Sequence, residues 1–305
     1  MLQRIREYFR GQHVLEVDTP ALSPFAVSDT HIESFEIGSC GVSPRPLYLQ
    51  TSPEFHMKRL LAAGYPDIYS ICRVFRDGEA GRRHQPEFTM IEWYRLGMRL
   101  EGIIDDTLRV IAAALGDTAP DQAPQMVDYR SAFASACGID IDTVSAADLA
   151  RAADADDELR QAVGGEKDDW LDLLLAVRVV AAFPRNRLTV LRHFPASQAA
   201  LARLCPADAT VADRFEVFLG PVELANGYVE LTDADEQAAR MAKDNEQRRA
   251  RGRPVRPVDR LLLDALRSGL PPCAGVAMGL ERLQMLHDSA EDMRDVVTFD
   301  FRGSA

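Results

Sequence analysis

The stretch DIYSICRVFRDGEAGRRHQPEFTMIEWYR, from Asp67 to Arg95, decides the fold. Residues 67–76 and 88–95 are rich in aromatic and β-branched side chains, and the polar, glycine-containing segment 77–86 separates them. This pattern predicts an antiparallel hairpin with a long loop. The loop holds several arginines, whose forked guanidinium groups match phosphate oxygens. The loop is therefore interpreted either as a polyphosphate clamp or as a solvated hairpin tip.

The second strand of this hairpin is predicted to line a pocket. Phe88, Met90, Glu92 and Tyr94 alternate along it and so share one face. At about 3.3 Å per residue, Phe88 and Tyr94 lie roughly 20 Å apart, which leaves room for an adenine at one end and an amino acid at the other. Cross-strand packing of the two aromatic side chains is the alternative.

The rest of the chain mixes clustered strands with blocks of helices. The Ala- and Asp-rich segment 131–184 predicts helices, strands return at 187–194, 214–219 and 222–231, and residues 117–130, with Pro120 and Pro124, predict an exposed connection. This order predicts an α+β fold, with an antiparallel sheet flanked by helices, rather than a regular βαβ alternation. The absence of GxGxxG, GxxxxGK[ST] and HExxH motifs excludes the common dinucleotide, P-loop and zinc-protease signatures.

Composition narrows the class of protein further. The chain carries 35 Lys+Arg against 47 Asp+Glu, and a net charge of −12 disfavours broad binding to nucleic acids. The five cysteines are scattered without a CxxC pair, which predicts neither a disulfide framework nor a cysteine zinc site. With no apolar run of about 18 residues and no apolar segment near Met1, we expect a cytoplasmic protein without a membrane partner.

Two further segments are candidate sites. The run from Glu223 to Glu230 sets two carboxylates among apolar residues, which is costly unless cations such as Mg²⁺ or a substrate ammonium pair with them. In a regular strand the two would face opposite sides, so a shared role needs a bulge at Asn226-Gly227; separate salt bridges are the alternative. Gly275 to Arg282 predicts a strand-to-helix junction that a ligand can approach closely, or merely close packing.

Taken together, these segments resemble the three motifs of class II aminoacyl-tRNA synthetases: residues 14–20 resemble motif 1, residues 75–95 motif 2 and residues 275–282 motif 3. Within that class the sequence is most similar to lysyl-tRNA synthetases, and more closely to their truncated paralogues, the elongation factor P lysine ligases. The segments SPEFHMKRL at 52–60, HFPASQ at 193–198 and ELANG at 223–227 carry this finer match.

The resemblance implies an architecture. A single class II catalytic domain is expected over residues 1–305, with a mainly helical insertion at about 100–185 and no anticodon-binding domain. The resemblance also implies a homodimer formed through motif 1.

The resemblance also implies roles for individual residues. Arg76, which would hold the α-phosphate of ATP, Arg282, near the γ-phosphate, and Glu223 are the expected catalytic residues. Phe88 would stack on adenine. The other expected ATP-binding residues are Asp77, Gly78, Glu79, Gln85, Leu224 and Gly279. The expected substrate-binding residues are Ser52, Pro53, Glu54, Tyr94, Asn226, Glu230 and Ala277. Glu223 and Glu230 are the expected Mg²⁺ ligands.

This sequence departs from the family pattern in the loop. Arg76-Asp77-Gly78-Glu79 stands where the family commonly has Arg-Asn-Glu, so the acidic contact to ATP would come from Glu79 or be lost. Gln85 replaces a usual Asn and keeps the amide chemistry. Ala277 follows the ligases, whereas lysyl-tRNA synthetases have Gly, and its methyl group would reshape the amino-acid pocket.

The expected function follows from the resemblance. It is ATP-dependent activation of (R)-β-lysine as the adenylate and transfer to a lysine side chain of elongation factor P, without stable tRNA binding. A minimal lysyl-tRNA synthetase and a nonenzymatic synthetase-like regulator are the alternatives.

Overall fold

The computed structural model describes residues 1–301, and the chain forms two compact units. The first unit comprises Met1–Ala119 and the chain from Gly227 onward, and the second comprises Pro120–Asn226. The first boundary, after Ala119, follows the helix Leu100–Leu115. The second boundary, between Asn226 and Gly227, lies within the strand Val222–Val229.

The α-helices of the described residues are α1 Leu2–Gly11, α2 Glu54–Ala62, α3 Leu100–Leu115, α4 Tyr129–Cys137, α5 Ala146–Ala152, α6 Asp157–Val163, α7 Lys167–Leu174, α8 Ala234–Ala250, α9 Arg260–Gly269 and α10 Leu280–His287. Short 3-10 helices cover Gly116–Thr118, Val180–Ala182, Ala196–Gln198 and Met293–Asp295, and a π-helix covers Leu175–Val179.

The strands of the described residues are β1 Leu15–Glu16, β2 Leu22–Ser23, β3 Glu36–Ile37, β4 Leu47–Leu49, β5 Ile68–Phe75, β6 Glu87–Leu96, β7 Gln125–Asp128, β8 Leu188–Arg192, β9 Leu204–Cys205, β10 Asp208–Ala212, β11 Arg214–Leu219, β12 Val222–Val229 and β13 Cys273–Gly279.

The first unit is built on a sheet with the strand order β1-β5-β6-β13. β5 and β6 pair antiparallel from Ile68↔Tyr94 to Phe75↔Glu87, which confirms the predicted hairpin and its long loop. β13 pairs antiparallel with the other edge of β6, from Cys273↔Leu96 to Gly279↔Met90. β6 is therefore hydrogen-bonded on both sides, which fixes the positions of its alternating side chains.

Helices cover this sheet with apolar faces. α1 buries Ile5 and Phe9 and leaves Leu2 exposed. The Phe9 ring stacks on Tyr69 of β5 with centroids 4.5 Å apart. α2 and α9 share a cluster of buried apolar residues with β5, β6 and β13: Met57, Leu61, Ile68, Tyr94, Leu262, Leu263, Leu266 and Cys273.

The second unit combines a sheet in the order β12-β11-β8-β7 with the helices α4 to α7. β11 pairs antiparallel with β8, from Phe215↔Arg192 to Leu219↔Leu188. The helices and strands enclose a core of large side chains that includes Tyr129, Phe133, Trp170, Phe194 and Phe218. The predicted helices between residues 131 and 184 are confirmed.

One prediction for this unit was wrong, and one element was missed. Residues 117–130 are not simply an exposed connection, because Gln125–Asp128 forms β7, which pairs in parallel with β8. Directly after Pro124, this four-residue run becomes a strand because β8 offers it backbone hydrogen bonds, a condition that no local pattern reveals. The small β9–β10 ribbon at residues 204–212 was missed for the same reason.

No helix among residues 1–301 is long and apolar enough to cross a membrane.

All five cysteines are free thiols, as their scattered spacing predicted.

Phe9 provides a test of the packing in the first unit. Because its ring is fully buried against Tyr69 and Trp93, Phe9→Ala is expected to lower the free energy of unfolding by about 3–5 kcal/mol. Phe299→Ala is the matched control, since that ring is 84% exposed, and it should change the free energy by less than about 0.5 kcal/mol. Urea denaturation measures both, and equal effects would contradict the packing.

Candidate functional site

An arginine directly after β5 faces an aromatic ring at the start of β6. The guanidinium carbon of Arg76 lies 5.3 Å from the centroid of the Phe88 ring. Arg76 Nε is buried, and no group among residues 1–301 accepts a hydrogen bond from it. Its Nη1 lies 3.6 Å from Glu79 Oε1. A flat ring with a guanidinium group above it offers a base and a phosphate the contacts that each prefers.

The other predicted arginine lies beside the hairpin loop. Arg282, in the first turn of α10, has Nη2 2.7 Å from His84 Nε2, and its Nε donates weakly to the carbonyl of Arg83 at 3.4 Å. The neighbouring Glu281 accepts the backbone N–H of Thr89 with both carboxylate oxygens, at 2.8 and 3.0 Å. These contacts fix the start of α10 against the loop and β6.

The remaining loop residues show different environments. Asp77 and Gly78 are exposed at a turn in which Gly78 has φ +81°, a conformation that favours glycine. Gln85 is buried, and its amide donates to Asp300 Oδ1 at 2.5 Å and accepts the N–H of Phe301 at 3.1 Å. Gln85 thus fastens the end of the described chain to the loop, and its contact with ATP remains a prediction.

The other end of β6 carries a buried carboxylate that two hydroxyl groups hold. Glu92 is 2% exposed; Ser52 Oγ donates to its Oε2 at 2.6 Å and Tyr94 OH donates to its Oε1 at 2.7 Å. The bond between residues 92 and 94 confirms that alternating residues of β6 share a face. Ser52 Oγ also accepts the backbone N–H of Glu54 at 3.0 Å, which joins the start of α2 to this carboxylate.

Two more carboxylates in the first unit share a buried lysine. Lys58 Nζ lies 2.6 Å from Glu54 Oε1 and 2.5 Å from Glu230 Oε2, and Lys58 and Glu230 are almost completely buried. Tyr228 OH donates to Glu54 Oε1 at 2.8 Å. The Glu230 carboxylate has no hydrogen-bond partner among the described residues beyond the contact with Lys58. We call Ser52, Glu54, Lys58, Glu92, Tyr94, Tyr228 and Glu230 the carboxylate pocket.

The carboxylate pocket has an excess of negative charge. With the three carboxyl groups ionised and Lys58 protonated, Glu54, Glu92 and Glu230 contribute −3 and Lys58 contributes +1, a sum of −2. Burial and the nearby Glu54 raise the pKa of Glu92 to about 7, and burial raises the pKa of Glu230 to about 8 although Lys58 opposes this shift. A ligand with two ammonium groups would restore neutrality, because buried charges need partners of opposite sign.

Strand β13 pairs with β6 next to Glu92 and Tyr94 of the carboxylate pocket. Gly275 is paired with Tyr94, and a Cβ atom at Gly275 would lie 2.5 Å from both Glu230 Oε1 and Tyr94 Cε1. Ala277 is paired with Glu92 and is half-buried, so its methyl group lies on the face of the sheet that Glu92 occupies. At Gly279, by contrast, an added Cβ would meet nothing within 4 Å.

The second unit holds the other predicted residues. Glu216 is buried and lies near Glu223; burial and the charge of Glu223 raise its pKa to about 7, although the Arg214 guanidinium group 2.6 Å away opposes the shift. Asn226 Oδ1 accepts a hydrogen bond from Arg214 Nε at 3.3 Å, and Leu224 is buried. The roles of Leu224 and Asn226 toward ATP and substrate remain predictions.

The site contains functional candidates that sequence reasoning missed, namely Lys58, Glu92, Tyr228 and Glu216. Glu92 was recognised as sharing a face with Phe88 and Tyr94, but it was given no role. Lys58 stands four residues after Glu54 on α2, the spacing at which opposite charges on a helix meet, and this spacing is visible in the sequence. Glu216 alternates with apolar residues in a strand, which indicates a buried carboxylate.

Comparison with known proteins agrees with these features. The family model "tRNA synthetases class II (D, K and N)" matches residues 1–302. The chain belongs to the class II tRNA synthetase family. Among curated proteins, it is 43% identical to the elongation factor P--(R)-beta-lysine ligase of Photorhabdus laumondii over 98% of this chain and 92% of that protein. Ligases of the same name from Salmonella gallinarum and Pseudoalteromonas translucida are 42% and 43% identical, with similar coverage.

Gly275 provides a test of the carboxylate pocket. In Gly275→Ala the new methyl group collides with Glu230 and Tyr94, so we expect a loss of roughly 1–3 kcal/mol in the free energy of unfolding. Gly279→Ala, on the same strand, has open space and should unfold like the natural protein. Urea denaturation without ligands measures both, and a Gly275→Ala protein as stable as the Gly279→Ala protein would refute the packing at Gly275.

Proposed function

We propose that this protein activates (R)-β-lysine as the adenylate with ATP and transfers it to a lysine side chain of elongation factor P. The carboxylate pocket carries this proposal, because its three carboxyl groups outnumber its one ammonium group, which suits an amino acid with two ammonium groups. The names of the relatives and their coverage of nearly the whole chain support the same activity.

The first step joins the carboxylate of lysine to the α-phosphate of ATP, with pyrophosphate as the leaving group. Glu54, Glu92 and Glu230 hold the two ammonium groups of the amino acid, Phe88 stacks on adenine, and Arg76 stabilises the charge that develops on the α-phosphate. Glu79, 3.6 Å from Arg76, holds this guanidinium group in position. Arg282 binds the outer phosphates.

In the second step, the side-chain amine of a lysine of elongation factor P attacks the carbonyl carbon of the mixed anhydride. An amide bond forms, the bond between the carbonyl carbon and the phosphate oxygen breaks, and AMP leaves. Binding and orientation of the two reactants supply much of the rate, so no covalent enzyme intermediate is needed.

The reaction also calls for Mg²⁺, and the second unit has a suitable donor set. Glu216 and Glu223 are neighbouring carboxylates, and such a pair is the kind of oxygen donor that a hard cation prefers. Bound there, Mg²⁺ would have carboxylate oxygens as ligands. We assign Glu230 to the amino acid because it shares the Lys58 ammonium group with Glu54 in the carboxylate pocket.

Two alternatives share this chemistry in part. A minimal lysyl-tRNA synthetase would use the same adenylate but a tRNA acceptor, and a nonenzymatic regulator would not form the adenylate. Arg76, Phe88, Glu230 and Arg282 are all present, which favours catalysis over a regulatory role. The homodimer remains a prediction from the resemblance.

The acceptor is tested in one reaction that contains the protein, ATP, Mg²⁺, (R)-β-lysine, elongation factor P and lysine tRNA. Intact-mass spectrometry should detect a lysyl mass increase on elongation factor P alone. Arg76→Ala should abolish both this increase and ATP–pyrophosphate exchange while the melting temperature stays the same. Arg178→Ala, which changes a half-exposed arginine of the second unit, should retain full activity.

Each other outcome of this experiment has a definite meaning. A mass increase on the tRNA alone would establish a minimal synthetase. No change on either acceptor together with no pyrophosphate exchange would support a regulator. Near-normal exchange by Arg76→Ala would refute the assignment of the α-phosphate site.

The raised pKa of Glu92 predicts how lysine binding depends on pH. Below its pKa of about 7 the carboxyl group is neutral and attracts an ammonium group weakly, and above it the carboxylate is charged. We therefore expect the KM for lysine in pyrophosphate exchange to fall as pH rises through the pKa values of Glu92, about 7, and Glu230, about 8, and to level off above both, while the KM for ATP changes less. Glu92→Gln should raise the KM for lysine and weaken this pH dependence; an unchanged pH profile would contradict the role of Glu92.

A further inference from the structure

The pocket that we propose for a diammonium substrate already contains a buried ammonium group of the protein, that of Lys58. Lys58 is only 1% exposed, and its Nζ lies within 2.6 Å of one oxygen of Glu54 and of one oxygen of Glu230. Both of these carboxylates are expected to bind substrate, yet Lys58 itself has no part in the reaction described above. Its position therefore calls for an explanation.

The two carboxylates come from distant parts of the chain. Glu54 begins α2, whereas Glu230 follows the end of β12 and is attached to β13 by a backbone hydrogen bond from its N–H to the carbonyl of Cys273. Like charges from separate elements repel strongly in a buried environment. The Lys58 ammonium group is the contact that joins the two, because each carboxylate gives it one oxygen.

The contacts of Lys58 leave one oxygen of the Glu230 carboxylate without a hydrogen-bond donor among the described residues. Glu54 Oε1 is taken by Lys58 and by Tyr228 OH, and Glu230 Oε2 is taken by Lys58. Glu230 Oε1 accepts no hydrogen bond from the described residues, and a Cβ at Gly275 would lie 2.5 Å from it. Lys58 thus fixes one oxygen of the Glu230 carboxylate and so orients the other.

We propose that Lys58 is a positioning residue of the amino-acid pocket: its ammonium group ties Glu54 to Glu230 and holds both carboxylates in the arrangement that receives the ammonium groups of the substrate. This inference rests on the proposed function. Lys58 does not contact the reacting atoms, and its effect is on the affinity for the amino acid.

The position of Lys58 predicts that an arginine or a neutral residue is a poor substitute. The side chain extends from the second turn of α2 to both carboxylates and is almost completely buried. Its ammonium group also lies 5.7 Å from the centroid of the Tyr228 ring. A compact cation fits this space, whereas the wider guanidinium group would push the carboxylates apart.

The test compares Lys58→Met, Lys58→Arg and the exposed control Lys243→Met in ATP–pyrophosphate exchange with (R)-β-lysine. We expect Lys58→Met to raise the KM for lysine at least about 10-fold, with the KM for ATP unchanged and kcat at saturating lysine reduced less than about 3-fold. Lys58→Arg keeps the charge and should recover part of the lost affinity. Lys243→Met should behave like the natural protein.

The outcomes separate this inference from the proposed function. If the natural protein exchanges pyrophosphate with lysine but Lys58→Met keeps its KM for lysine, or if the KM for ATP rises in parallel, the positioning role is refuted. Failure of both Lys58 variants to fold, judged by their melting curves, would show a structural ion pair and would also refute it. If the natural protein itself shows no exchange with any diamino acid, the proposed function fails instead.

Discussion

The buried ion pairs of Lys58 with Glu54 and Glu230 are the interaction on which the amino-acid pocket depends. Charges buried away from water are costly, and one ammonium group cannot compensate three carboxylates. The pocket therefore tends to keep protons on its carboxyl groups, and the raised pKa values of Glu92 and Glu230 express this excess of carboxyl groups over ammonium groups. A substrate with two positive charges would compensate the charge of the ionised carboxylates.

Strand β6 connects this pocket with the pair formed by Arg76 and Phe88. Phe88 lies under Arg76 near the start of the strand, and Glu92 and Tyr94 lie farther along the same face. Because β5 and β13 pair with both edges of β6, the separation between the two ends follows from backbone geometry and varies little. Reactants bound at these ends would be held in a fixed relation, which is the main requirement of adenylate formation.

Sequence reasoning predicted the hairpin, the helices of residues 131–184 and the strands around β11 and β12 because their patterns are local. It missed β7, since the run Gln125–Asp128 becomes a strand through a partner more than 60 positions away. It gave no role to Lys58 and Glu216, although the spacing of Lys58 from Glu54 and the alternation around Glu216 were visible, because such local signals do not show which other elements pack against them. It assigned Glu230 to Mg²⁺ as well as to substrate; the structure places the Lys58 ammonium group 2.5 Å from this carboxylate, and the assignment to Mg²⁺ remains a prediction.

The sequence by itself determined the α+β class, the order of the three motifs and the likeness to the lysine ligases, whereas its assignment of Arg76, Phe88 and Glu230 to the site remains a prediction. Only the tertiary structure decided that Glu54 and Tyr228, 174 positions apart, meet in one pocket, and that Gly275 must lack a side chain there. The reason is physical: periodicity records which face of an element is buried, whereas contacts between distant elements depend on how those faces pack.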